Sequence, residues 1–351
     1  MPSVDRIESS SESEVLARFT PTLFQRQQSV RQAGFSHLIV GPGDDAAVLD
    51  LRGGQTVVTT DTQVENQDFR WRWPSGLTTT GYDIGWKATT QNLADVAAMG
   101  AQPVSMVVSI SCPKSSPVQF FEDFAQGMVD ACAALGAEAC TVAGGDLGTS
   151  TELSVTVTAL GLTPQPVLRS GAHAGDQVAI AGALGTAAAG LALLETEQLP
   201  DLEEPALACI AAQQRPQSPL KAGEKARLAG ATAMLDVSDG PLKDASRIAD
   251  ASGITIDFET ESLRRFITPL ENTASLLSNS PEHLALEWVL TGGENHGLLA
   301  TFPADAELPT EFTRIGTCRE KLDSAVTVDG VSVESKGWDH FGQSMVEDLA
   351  D

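Results

Sequence analysis

Aspartates recur in this chain at the ends of strand-like runs and in glycine-rich turns: Asp44 and Asp45, Asp61, Asp95, Asp146, Asp236 and Asp239. Short carboxylates offered from tight turns suit Mg²⁺, which takes hard oxygen ligands, and through it phosphate oxygens. Any one of them alone has the plainer reading of a turn aspartate that bonds nearby backbone amides. As a set they weigh more. Gly-Asp-Asp, Gly-Gly-Asp and Asp-x-Ser-Asp-Gly all sit where an α/β fold places its ligand-binding loops, at strand carboxyl ends.

Charge sharpens this. Lys and Arg number 22 against 47 Asp and Glu, a formal charge of −25 over 351 residues. Such a surface repels nucleic acid and anionic membranes, so neither is an expected partner. It also repels an anionic substrate, unless divalent cations held by some carboxylates reverse the sign locally. The usual glycine loops for nucleotides are missing: no Gly-Lys dipeptide occurs, hence no G-x-x-x-x-G-K-[ST], and no G-x-G-x-x-G follows a strand. Phosphates would then be held by metal bridges and isolated basic residues. Cys112, Cys132, Cys140, Cys209 and Cys318 are odd in number and widely spaced, which fits reduced core thiols in the cytoplasm. The histidines show no metal spacing, and no window has the apolar length of a signal peptide or a membrane span.

The elements that must carry these residues follow from periodicity. Residues 1–14 are Ser/Glu-rich and are expected to be mobile, with a first helix from about Ser13. A turn at Gly41–Asp45 leads to a short strand, and Thr56–Thr60 reads as a strand ending at Asp61. Apolar residues at helical spacing from Asp83 to Met99 put Lys87, Asn92 and Asp95 on a helix that Gly100 stops. Then come a strand at Val104–Ile110, a helix at Val118–Leu135, a short strand at Ala139–Val142 ending in Gly144-Gly-Asp146, and a strand at Leu153–Gly161. Thr163-Pro-Gln-Pro-Val167 is the expected boundary between an N-terminal domain, 15–162, and a C-terminal α/β domain, 163–351. The second domain is expected to hold strands at Gln177–Ala181, ending at Asp236 and at Ile254–Phe258, with helices at Gly182–Glu195 and Leu242–Ala251.

Gly41-Pro-Gly-Asp-Asp-Ala-Ala-Val-Leu49, Thr59-Thr-Asp-Thr62, Lys87 with Asn92–Ala101, Ala143-Gly-Gly-Asp146, Asp236-Val-Ser-Asp-Gly-Pro-Leu242, Gly292-Gly-Glu294 and Gly337-Trp-Asp-His-Phe341 resemble, in order, the motif set of the thiamine-monophosphate kinase family. That family shares a superfamily with aminoimidazole ribonucleotide synthetase, selenophosphate synthetase and a hydrogenase-maturation protein. The resemblance implies two α/β domains and a homodimer that pairs N-terminal sheets. It implies ATP-dependent phosphorylation of thiamine monophosphate, the last step of thiamine diphosphate biosynthesis, with several Mg²⁺ ions. Asp44, Thr59, Thr60, Asp61, Asp95, Asp146 and Asp236 would be Mg²⁺ ligands, with Asp239 a further metal-side carboxylate. Gly145, Asp146, Arg169 and Ser238 would contact ATP, and Glu294 and Trp338 would face the thiamine moiety.

Two departures stand out. Glu65-Asn-Gln-Asp-Phe69 puts Asp68 where the family has a substrate-side histidine, and Gly292-Gly-Glu-Asn-His-Gly-Leu298 replaces Gly-Gly-Glu-Asp-Tyr-Glu-Leu. The attacking group would be a phosphate oxygen already largely ionised near neutral pH, so neither a general base nor a side-chain nucleophile is expected. Lys87 and Arg169 are the basic residues expected near the phosphates, each with the alternative of simply pairing carboxylates. A sister ATP-using synthetase and a noncatalytic binding module are the competing readings.

Overall fold

The computed structural model describes residues 12–35, 37–40, 48–51 and 54–338. The chain runs α1 (Glu12–Gln32), β1 (Leu38–Val40), β2 (Val48–Leu49), β3 (Gln55–Val64), α2 (Gly81–Ala98), β4 (Gln102–Cys112), α3 (Gln119–Ala134), β5 (Thr141–Thr149) and β6 (Ser154–Thr163). There follow β7 (Gln177–Ala181), α4 (Thr186–Leu194), α5 (Glu204–Gln214), α6 (Leu220–Leu228), β8 (Ala233–Val237), α7 (Pro241–Ser252) and β9 (Ile254–Phe258). The chain continues through α8 (Thr260–Ala274), α9 (Pro281–Thr291), β10 (Gly297–Phe302), β11 (Phe312–Glu320), β12 (Val326–Val328) and β13 (Val331–Ser332). This is a mixed α/β fold with two principal sheets.

The first sheet has the order β3-β6-β4-β5, antiparallel except for the parallel β4–β5 pair. Its strands alternate as a half-covered sheet should. On β6, Val155, Val157 and Ala159 are buried against the helices, while on β3, Val58, Thr60 and Thr62 are exposed. The exposed face carries hydroxyl rungs: Thr62 with Thr156 at 2.8 Å, and Thr158 donating to Thr60 at 3.0 Å.

On the covered face α2 crosses α3 at very short range, because a Cβ on Gly85 would stand 2.1 Å from the Phe124 carbonyl and one on Gly127 2.1 Å from that of Tyr82. Only glycine permits that approach. The second sheet has the order β13-β12-β9-β11-β7-β10-β8. One apolar core holds Leu93, Val96 and Ala97 of α2 together with Met234 of β8 and Leu298 of β10, so α2 is packed between the two sheets.

Two strands run further than their sequence suggests. β3 continues through Asp61, which pairs with Val157, as far as Val64. β5 runs through Gly144-Gly-Asp146 to Thr149. In both cases an Asp or a Gly-Gly reads as a stop, but a long partner strand supplies ladder bonds and the chain stays extended. Gly145 is itself a packing requirement, since its Cβ would meet the Val108 carbonyl at 2.1 Å. The five cysteines are all buried free thiols. Asp44 and its Gly-Asp-Asp turn lie outside the described residues, as does residue 339 onward.

Candidate active site

The site is built along α2. Its start is fixed by a capping box: the Thr80 hydroxyl accepts from the Asp83 backbone N–H at 3.3 Å, and the Asp83 carboxylate accepts from the Thr80 N–H at 2.8 Å. From that start Lys87, Gln91 and Asp95 follow at four-residue intervals, a stripe up one side of the helix.

At the far end of the stripe, acidic groups crowd together. The Thr59 hydroxyl donates to the Asp95 carboxylate at 2.6 Å, and the Asp61 backbone N–H donates to the Asn92 side chain at 3.1 Å. The Asp61 and Asp95 carboxyls are hydrogen-bonded to one another, and the charge of Asp236, at the end of β8, bears on both. Burial, followed by the negative charge of Asp236, pushes Asp95 up to about 8, against a lowering bond from Thr59. Asp61 is also raised, by burial above all, with its bond to Asp95 and the nearby His296 working the other way. His296 places Nδ1 3.2 Å from the Asp236 carboxylate, and both side chains are buried. Among the described residues, no three His, Cys, Asp or Glu side chains already stand in coordinating geometry. The donor set nevertheless fits a hard cation, because three mutually repelling carboxylates, Asp236 buried and Asp61 and Asp95 half-buried, are relieved by positive charge.

At the near end, Lys87 is nearly buried and pairs with Glu294 at 2.5 Å while donating to the Asp68 carbonyl at 3.1 Å. Glu294 is held by a tight connection from α9 to β10 in which Glu294 and His296 both take left-handed φ, 61° and 51°. The Glu294 N–H donates to the Ser238 carbonyl at 2.8 Å and the His296 N–H to that of Val237 at 3.1 Å. Asn295 anchors the same turn by donating to the Thr186 hydroxyl at 2.6 Å. The Asp68 carboxylate accepts from the Val64 N–H at 2.7 Å and so closes its own turn.

The Ser238–Asp239 turn leads into α7. Asp239 pairs with Arg247, and with Lys243 at 3.6 Å. The buried Asp244 accepts from the N–H groups of Asp239 at 2.9 Å and Gly240 at 3.0 Å. Burial, then the charge of Asp236, raises Asp244 to about 7. The half-exposed Trp338 is tied to this turn by its N–H, which donates to the Asp239 carbonyl at 2.9 Å.

An N-terminal domain model for AIR synthase related proteins matches residues 43–163. The thiamine-monophosphate kinase of Mycobacterium tuberculosis is 38% identical over 311 residues, 87% of each chain. The solved thiamine monophosphate kinase of Aquifex aeolicus is 32% identical with a TM-score of 0.70, covering 80% of this chain and 89% of that one. A structure of AaThiL complexed with AMPPCP and TMP gives 32% identity and a TM-score of 0.73, over 91% of this chain and 96% of that one. This chain belongs to the thiamine-monophosphate kinase family.

Against the family's motif set, Thr59, Asp61, Asp95 and Asp236 come together, and so do Asp68 and Glu294. Lys87 stands with the second group. Thr60 and Asp146 lie on the opposite, exposed face of the first sheet. The register Thr62–Thr156–Ser109–Asp146 sets Asp146 three strand spacings from β3, about 14 Å. Arg169 is exposed beside the opening of β8, where Leu168 bonds Met234, whereas Ser238 lies just past the other end of that strand. Gln91, Gln213, Asp244 and Arg247 are site residues that sequence reasoning did not single out, and His296 entered it only as part of a departure from the family's motif. Only Gln91 carried a signal, its place midway between Lys87 and Asp95.

Proposed function

We propose that this chain transfers the terminal phosphoryl group of ATP directly to the phosphate of thiamine monophosphate, giving thiamine diphosphate. Family membership supports the reaction, and the observation that carries its chemistry is the crowding of the half-buried Asp61 and Asp95 with the buried Asp236. These three, with Asp44 and Thr59, are the residues proposed to hold Mg²⁺, which when bound neutralises phosphate charge. Thr59 fixes the orientation of Asp95 through its hydroxyl. Asp239, already paired with Arg247 and Lys243, orders the turn that presents Ser238 to ATP. Gly145, Asp146 and Arg169 are the remaining residues proposed for ATP.

Lys87, expected among the ATP contacts, is proposed instead for the acceptor side, a reading supported by its pairing with Glu294 and its bond to the Asp68 carbonyl. Glu294, Asp68 and Trp338 are the proposed acceptor-side residues. With no base or nucleophile required, the chain's work is to position two phosphate groups and exclude water.

The reading includes a cytoplasmic homodimer. Among the described residues no helix is long and apolar enough to cross a membrane. The open face of the first sheet, with Val58 62% exposed and Val107 37% exposed, is the surface proposed to meet a second copy. Thr60 and Asp146, more than three strand spacings apart in one chain, would serve one ion only if the second copy supplied one of them. The test is an assay with ATP, Mg²⁺ and thiamine monophosphate, following thiamine diphosphate by chromatography. Wild type should form it and Asp95→Asn should not; ATP binding without product would favour the noncatalytic module.

A further inference from the structure

Between β3, α2 and α5 lies a small cavity lined by Gln63, Asp68, Trp73, Asp83, Lys87 and Gln213 among others. Two of its buried atoms have no hydrogen-bond partner: the side-chain carbonyl oxygens of Gln63 and Gln213, in residues 2% and 3% exposed. Unpaired buried acceptors are uncommon and call for an explanation.

The orientation of each amide is dictated by a carboxylate. Gln213 turns its NH₂ to the Glu294 carboxylate, which can only accept, so its carbonyl is left over. The Gln91 side chain bonds the Asp61 carboxylate, which leaves the Gln91 carbonyl to accept from the Gln63 NH₂ at 3.2 Å. The Gln63 carbonyl is left over in the same way. Two anchored chains therefore end in carbonyls in one cavity. The other polar groups there are already engaged: Asp83 in the α2 cap, Asp68 in its turn, and Lys87 with Glu294. Lys87 in the wall is already neutralised by Glu294, and the two leftover carbonyls are neutral acceptors that a neutral NH₂ satisfies with its two donors. The space, about 10 Å³, admits roughly one water-sized group. What fits is a neutral amino group carried at the end of a larger ligand.

We propose that Gln63 and Gln213 accept hydrogen bonds from the exocyclic amino group of the acceptor's pyrimidine, and so select thiamine monophosphate from its oxygen-substituted counterpart. This rests on the reading of the site as a thiamine-monophosphate kinase. It assigns a specificity role to two residues outside the family's motif set.

The experiment compares wild type, Gln63→Met and Gln213→Met on thiamine monophosphate and on the analogue whose amino group is replaced by oxygen, measuring KM and kcat for each and binding by calorimetry. Wild type should favour the amino compound in kcat/KM by about 10- to 100-fold. Each Met variant should shrink that ratio to within a few-fold of one, chiefly by raising KM for the amino compound. The wild-type ratio needs no variant to fold, and it alone overturns the proposal if it is near one. A ratio the variants leave unchanged also overturns it, and the cavity then holds only a structural water. Turnover of thiamine monophosphate without discrimination sinks this inference alone, whereas neither turnover nor binding of either compound removes the functional reading along with it.

Discussion

Asp95 concentrates the argument at the scale of single residues. Its carboxyl is raised from 3.8 to about 8, by burial and by Asp236, so the folded chain favours its neutral form. A group raised on folding contributes stability that is fully present below its unfolded pKa and is lost as pH rises through the folded one. In EDTA, the melting temperature of Asp95→Asn relative to wild type should therefore rise between pH 5 and pH 8 and level off above. Added Mg²⁺ should remove most of that difference. Melting curves at four pH values check it, and a flat difference would contradict the assigned crowding. In turnover, Asp95→Asn should lower kcat/KM by about 100-fold or more, about 3 kcal/mol.

The Lys87–Glu294 pair makes a second prediction at this scale. Glu294→Ala leaves an almost buried ammonium with only the Asp68 carbonyl, and should cost about 3 kcal/mol in urea unfolding. Lys87→Met combined with Glu294→Leu should recover much of that loss. Additive losses in the double-mutant cycle would rule out the coupling. Although Asp61 lies within β3 and Asp95 within α2 rather than in glycine-rich turns, the carboxylates of this site were singled out in the sequence by the motif set. The amides were not. Gln63 and Gln213 take their meaning from Glu294, Gln91 and Asp61, contacts that no spacing reveals.

Among the elements, α2 is decisive. It carries Lys87, Gln91, Asn92 and Asp95, and its place is set by the glycine crossing with α3. Gly85→Ala should push the helices apart and destabilise the fold by about 1–3 kcal/mol. It should also lower kcat, since Asp95 moves with the helix. Urea midpoints and rates on the same preparation check both; full activity at wild-type stability would contradict the packing account. The limits of α2, β7 and β9 follow closely from hydrophobic period and from Gly100. β3 and β5 outran their stop signals because β6 and β4 hold them extended. α5, α6, α8 and β10 to β13 were not read from the sequence at all. α8 even contains Pro269 within the helix, a residue that argues against helix locally and is outweighed by the burial of Leu263, Ile267 and Leu270.

For the whole molecule, a chain of net charge −25 must bring two anionic reactants together, and in the proposed dimer it also meets its own copy. The open sheet face is the patch proposed for that contact, and it is mainly hydroxyl and aliphatic. Val58→Glu should shift sedimentation equilibrium from dimer to monomer and reduce turnover in parallel. A monomeric variant with wild-type rates would show that one chain holds a complete site. The mixed α/β architecture was legible from the alternation of strand-like and helical runs, and the Pro-containing stretch 163–167 falls between β6, which ends at Thr163, and β7, which begins at Gln177. The wedging of α2 between both sheets was not, because helical periodicity reports that a face is buried and not by what.

The most direct test of direct, metal-assisted transfer follows the label from γ-³²P-ATP with Mg²⁺ and thiamine monophosphate, resolving small molecules from protein. The account predicts one labelled thiamine diphosphate for each ADP formed and no label retained on the protein. Label on the protein, or ADP accompanied only by labelled inorganic phosphate, would contradict it.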